Sequence, residues 1–476
     1  MRPSFTPRRF GRRIFTPPVR VGIQVIVDHR NVPAALWRLG APNALALVAD
    51  QFLGIADTIV VGALGTAALA GISAATSIFV IIAIGLWAFP SAGRIMEAQA
   101  LGRGDVAAFG RIVRSSLVTP VLIAVLVAVA SVFAAEPTMR LMLGSIPIRS
   151  AASHYLVLRC ISLIPIAISA QAIAAFGAAG NARLAPRTLF IINVVHIPML
   201  IVLALGVGTH VRLGLFGAGL SSLLSECVGA IYCVIVTMRR PQYHILEELD
   251  IDFGLARATT LLALPEFVML VLLLVPDALT VAFLAPLGAV AVAAFRAFTV
   301  VTDLTWAVPG AFGDSMQIVI GQRLGAGDAQ GAQDFLRHAT RLAVMVGTIV
   351  GVIFMLLSWP LTALVTLSPM LANVAALPLA LHLATLPIKS YAIAVLAPIR
   401  AAGDTRFSMW AGITGALVAV SLIAFLTHVV QFGLYAIGIA WMASWSVRSF
   451  MTWLRLRRGD WTTRRIPALA GVSQAS

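Results

Sequence analysis

Apolar residues in this chain fall in long uninterrupted blocks separated by short polar joints, with no alternation of period two. Twelve blocks stand out. In the first half they lie near 36–62, 67–92, 108–134, 152–177, 186–208 and 215–238. In the second they lie near 259–285, 289–320, 333–358, 374–399, 407–427 and 433–454. About 20 apolar residues carry a helix across the hydrocarbon core of a bilayer, whereas barrel strands need about 10 and alternate. The pattern therefore predicts an all-α membrane protein with twelve transmembrane helices in two six-helix bundles.

Composition agrees. Charged residues make up 11% and apolar residues 60% of the chain, against roughly 25% charged in a soluble globule. Lipid has to cover what charge cannot. The net charge of +15 does not point to nucleic acid, because the basic residues sit at the ends of apolar blocks and in one set of joints. With the N-terminus placed inside, 28 of the 34 basic residues fall on the inside, including Arg8, Arg9, Arg12, Arg13, Arg111, Arg114, Arg457 and Arg458. Only Arg140, Arg149 and Arg212 fall outside. Basic residues accumulate on the cytoplasmic side, so a multi-pass protein of the cytoplasmic membrane with both termini in the cytoplasm is expected.

The same reading divides the chain into a basic tail (1–35), a first bundle (36–239), a polar linker (240–257) with Glu247, Glu248, Asp250 and Asp252, a second bundle (258–455) and a basic tail (456–476). The twin-arginine-like string Pro7–Arg13 is not followed by an apolar signal segment, since Asp28, His29 and Arg30 intervene. Cys160, Cys227 and Cys233 lie within apolar blocks without metal-ligand spacing, so no metal site is expected.

The two halves are copies. An offset of 223 residues superimposes Pro42 on Pro265, Leu64-Gly65 on Leu287-Gly288, and Pro137 on Pro360. The same offset carries Gln99-Ala-Leu-Gly-Arg-Gly-Asp105 onto Gln322-Arg-Leu-Gly-Ala-Gly-Asp328, and Ala179-Gly-Asn-Ala-Arg183 onto Ala402-Gly-Asp-Thr-Arg406. Six crossings per copy is an even number, so the repeats run parallel, related by an axis along the membrane normal. In the QxLGxGD turns, glycine suits a left-handed helix C-cap and aspartate the next N-cap.

The stretch Ala56-Asp57-Thr58-Ile-Val-Val-Gly62-Ala-Leu-Gly65, with the paired QxLGxGD and AAG[ND]xR turns, resembles the multidrug and toxic compound extrusion (MATE) family over about residues 36–455. The resemblance implies two six-helix bundles about a central cavity. It also implies export of organic, often cationic, compounds driven by inward proton or sodium flow, with no cofactor.

Ionisable groups at bilayer depth are costly and so mark function by default. Asp50 and Asp57, seven apart, share a face of the first helix. The resemblance makes Asp57 the coupling carboxylate and Asn193 its partner; Ser222 and Glu226 stand nearby on the sixth predicted helix. Where the family often has a second aspartate, this chain has Ile197, which weakens a sodium site, since a hard cation needs several oxygen ligands. Proton coupling is the expectation. In the second half the counterpart of Asp57 is Thr280. Candidate cavity residues are Glu266, Asp277, Arg296, Asp303 and Lys389, the chain's single lysine. Two readings stay open for Lys389: a structural pair with Asp303 or Asp277, or a cationic surface with Arg159 and Arg296 for anionic or zwitterionic substrates. Pro198, Pro265, Pro276, Pro309 and Pro387 are expected to interrupt helices.

The expected function is therefore a secondary-active exporter of small amphipathic organic compounds, acting as a monomer in the bilayer. The alternative is a lipid-linked saccharide or lipid flippase of the same superfamily. An enzyme is not expected: HExxH, GxSxG and Walker A sequences are absent.

Overall fold

The computed structural model describes residues 31–143, 146–208, 212–246, 250–366, 368–464 and 466. Most of both basic tails, with Glu247 and Glu248, lies outside the described residues. Sixteen α-helices are found there and no strand. The first lobe comprises α1 (Val32–Gly62), α2 (Thr66–Leu86), α3 (Ala88–Gly102), α4 (Val106–Met142), α5 (Ile146–Ala178), α6 (Leu184–Leu205) and α7 (Gly214–Met238). The second comprises α8 (Phe253–Leu272), α9 (Val275–Leu284), α10 (Ala289–Gly325), α11 (Ala329–Leu356), α12 (Ser358–Thr366), α13 (Pro369–Leu383), α14 (Leu386–Ala401), α15 (Thr405–His428) and α16 (Tyr435–Arg457).

There are more helices than predicted spans because prolines divide some of them. A proline removes one helical hydrogen bond and its ring clashes with the carbonyl four residues back. α2 ends at Leu86 before Pro90, α8 at Leu272 before Pro276, α11 at Leu356 before Pro360, and α13 at Leu383 before Pro387. Every one of these ends falls four residues before the proline. Pro276 and Pro387 thus interrupt helices as expected. Pro198, Pro265 and Pro309 do not, and lie inside continuous α6, α8 and α10.

Among the described residues, ten helices or near-straight pairs are long and apolar enough to span a membrane, and α13 with α14, bent by 40°, makes eleven. The twelfth predicted span, α16, has 23 residues but is less apolar, since it carries Arg448. That residue is buried within the lobe. Its guanidinium lies 4.7 Å from the centre of the Trp445 ring, and its Nη2 donates to the Gly412 carbonyl at 3.2 Å.

The repeat is visible in backbone conformation. Gly65 and Gly288, Gly104 and Gly327, and Gly180 and Gly403 all have positive φ, in pairs 223 residues apart. Asp105 and Asp328 cap the following helices by accepting from the N–H of Ala108 (2.8 Å) and Gly331 (2.9 Å). The QxLGxGD turns do more than cap. Gln99 Nε2 donates to the Ala401 carbonyl and Gln322 Nε2 to the Ala178 carbonyl, both at 2.7 Å. Each bond is the other's image under the 223-residue shift. Between them the helices approach so closely that a Cβ on Gly102 would strike the Gln322 carbonyl, and one on Gly325 the Gln99 carbonyl. Reciprocal contacts of this kind are what a two-fold axis produces.

Gly102→Ala and Gly325→Ala are each expected to weaken this closed contact by roughly 1–3 kcal/mol, the usual cost of overpacking. Distances between spin labels on the two lobes should then shift toward a separated population, most strongly in the double variant.

Candidate ion-coupling and substrate site

Three groups of charge follow from this helix arrangement, one inside each lobe and one between them. In the first lobe, α1 brings Asp57 to α6, where Asp57 Oδ1 lies 2.8 Å from His196 Nε2. The imidazole is fully buried, while the Asp57 side chain keeps 18% exposure. Behind it, Ser225 Oγ on α7 lies 3.4 Å from His196 Nδ1 and donates its own hydrogen to the Ser222 carbonyl at 2.9 Å. Ser225 can therefore offer the ring a lone pair.

The resemblance placed Asn193 on Asp57, and the structure corrects this. The Asn193 amide donates to the carbonyls of Leu189 (2.8 Å) and Ala49 (3.4 Å), so it ties α6 to the backbone of α1 instead. The ionisable partner is one turn further along, at 196. Ser222 donates within its own helix, to Ala218. Glu226 lies within electrostatic reach of Arg159, Asp50 and His196, and Asp50 within that of Arg159. The Arg159 guanidinium rests 3.9 Å from the centre of the Phe79 ring, a cation–π contact, and among the described residues no carboxylate lies within ion-pair distance of it.

In the second lobe, Lys389 Nζ sits 4.5 Å from the centre of the Trp306 ring and 5.8 Å from that of Trp445. Asp277 and Asp303 act on it through space, but no ion pair within 4.0 Å joins them among the described residues. Neither sequence reading anticipated the tryptophans. Trp441 and Trp445 stack, with centroids 6.2 Å apart, and His382 stands edge-on to both Phe298 and Trp441. Arg296 and Asp303 are exposed, whereas Arg159 belongs to the other lobe, so the three cations do not form one patch.

Glu266 is the clearest departure from the sequence reading. It is buried, and takes a two-pronged contact from Arg400: Nε to Oε1 at 2.8 Å and Nη2 to Oε2 at 2.7 Å. Ser91 of the first lobe completes the set, donating to Glu266 Oε2 at 3.1 Å and accepting from Arg400 at 2.9 Å. Beside it Arg94 grips Asp314 across the lobes at 2.7 and 3.0 Å. Thr259 and Thr260 of α8 meet Ser116 and Thr119 of α4 at 3.1 and 2.8 Å. Glu266 is thus part of the seam between lobes and not a free cavity acid; α8 ends before Asp277, so the two do not share one helix face. Among the described residues, the hydrogen bonds and ion pairs joining the lobes lie between this seam and the end bearing the linker.

The MatE family profile matches residues 42–202 and 265–426. The chain belongs to this family. The two matches begin at residues 42 and 265, and so reproduce the 223-residue repeat. The chain is accordingly a multi-pass membrane transporter and not an enzyme. It is 28% identical over 349 residues to an FAD transporter of Shewanella oneidensis, covering 70% of this chain and 74% of that one. It is 25% identical to a probable multidrug resistance protein NorM of Thermotoga maritima, covering 90% and 93%. A MATE-family multidrug resistance transporter solved in an outward-facing conformation has the same fold, with a TM-score of 0.83 at 18% identity over 94% of this chain and 98% of that one.

Arg400→Gln should strand a buried carboxylate and destabilise the protein by about 3–5 kcal/mol. Adding Glu266→Gln is expected to restore much of the loss, a coupling readable from thermal unfolding of the two single variants and the double.

Proposed function

We propose that this MatE transporter exports small amphipathic organic compounds in exchange for protons, with Asp57 and His196 as the coupling pair. The observation that carries this reading is the 2.8 Å contact between the two side chains, one still accessible and the other fully enclosed. Proton entry neutralises Asp57 and cancels its attraction for His196. Proton release restores the pair and draws α1 back toward α6. A buried ion pair is worth several kcal/mol when one partner is lost, enough to bias two lobe arrangements. Asp50 and Glu226 extend the acidic path along the same lobe, and Ile197 leaves too few oxygens for a well-formed sodium site.

The substrate meets Lys389, Asp277 and Asp303 beside the Trp306 and Trp445 faces, a combination suited to planar aromatic compounds that also carry charge. A relative named as an FAD transporter is consistent with a ring-bearing substrate. The inside bias of the basic residues supports cytoplasmic termini. The protein works as a monomer in the cytoplasmic membrane.

Uptake of a fluorescent aromatic compound into inverted vesicles tests the reading. Collapse of the proton gradient should abolish uptake while collapse of the sodium gradient leaves it intact. Asp57→Asn and His196→Gln are each expected to reduce proton-driven uptake tenfold or more, on the order of the effect of losing one group of a proton-transfer pair. Full transport by Asp57→Asn would sink the proposal.

A further inference from the structure

A groove on the flank of the first lobe belongs to none of the three charge groups. It encloses about 630 Å³ between α1, α6 and α7, walled by Ala41, Pro42, Leu45, Phe190, Ile191 and Tyr232. Apart from the tyrosine hydroxyl, that wall is apolar. Arg183 and Arg187 also line it. They stand one turn apart at the start of α6, hence on one side of it, and both are exposed. No carboxylate lies within ion-pair distance of either among the described residues, and none lines the groove. The first N–H groups of α6 have no side-chain cap, which adds partial positive charge at the same place. The groove opens beside the end of the lobe that carries the linker, the end to which the excess of basic residues assigns the cytoplasm.

We propose that this groove holds one anionic phospholipid, its acyl chain along Leu45, Phe190 and Ile191 and its phosphate between Arg183 and Arg187. The charge complementarity selects an anionic lipid over a zwitterionic one, whose ammonium the two guanidiniums would repel. Since Ala41, Pro42 and Leu45 belong to α1, the lipid leans on the helix that carries Asp50 and Asp57.

The full-length protein, released from membranes and examined by native mass spectrometry with phosphatidylglycerol or phosphatidylcholine titrated in, tests this. One phosphatidylglycerol should be retained in preference to phosphatidylcholine. Arg183→Gln with Arg187→Gln should weaken that binding roughly tenfold or more, on the scale of two basic contacts with an anionic lipid surface. Ile191→Trp fills the groove, keeps both arginines, and should weaken it as well. Arg212→Gln, an exposed arginine at the opposite end, should leave it unchanged. Equal retention of phosphatidylcholine would overturn the proposal, and so would wild-type retention by either groove variant. An effect of Arg212→Gln equal to that of the double variant would show attraction by bulk charge and likewise overturn it.

Discussion

Within a bilayer, two apolar protein surfaces gain little by leaving lipid for each other, so separate lobes must be joined by close packing and polar contacts. The seam of this transporter is built that way. Glycines at 102 and 325 let backbones touch, Gln99 and Gln322 reach across to carbonyls of the other lobe, Arg94 pairs with Asp314 across the seam, and Ser91 reaches over to the Arg400–Glu266 pair of the second lobe. Such contacts are strong while made and leave no apolar surface to be hidden once broken. An interface of this kind suits a protein whose lobes must separate and rejoin.

The symmetry of the seam contrasts with the asymmetry of the lobes. Contacts made by the turn motifs occur twice, once per repeat, because both copies must satisfy the same axis. The interiors are free of that constraint. The first has acidic α1 and the enclosed histidine; the second has aromatic rings around a single amine. Arg94 and Asp314 show an intermediate case. Their counterparts under the repeat are Gln317 and Ser91, so one copy of the seam kept charge where the other kept neutral polar groups.

The fold was legible in the sequence because it is governed by long-range averages: length of apolar runs, placement of arginines, and a constant offset between motifs. The helix breaks were half legible. Every proline is visible in the chain, but whether its clash is absorbed within a straight helix, as at Pro265, or ends one, as at Pro276, depends on packing around it. The site was harder. Asp57 stood out through its motif, yet its partner was sought at 193 and 197, and His196 lies between them. Glu266 read as a cavity acid because Arg400 is 134 residues away in sequence. Pairings across helices leave no periodic signature in a single chain, and only the folded arrangement reveals them.

Lys389 is the only lysine in the chain, and its amine lies against two tryptophan rings deep in the second lobe. No other side chain in the sequence carries a primary amine. Amine-selective acylating reagents that spare guanidinium groups therefore have a single side-chain target in this sequence. The neighbouring indoles, 4.5 and 5.8 Å from that amine, supply the optical signal that would report when this handle is touched.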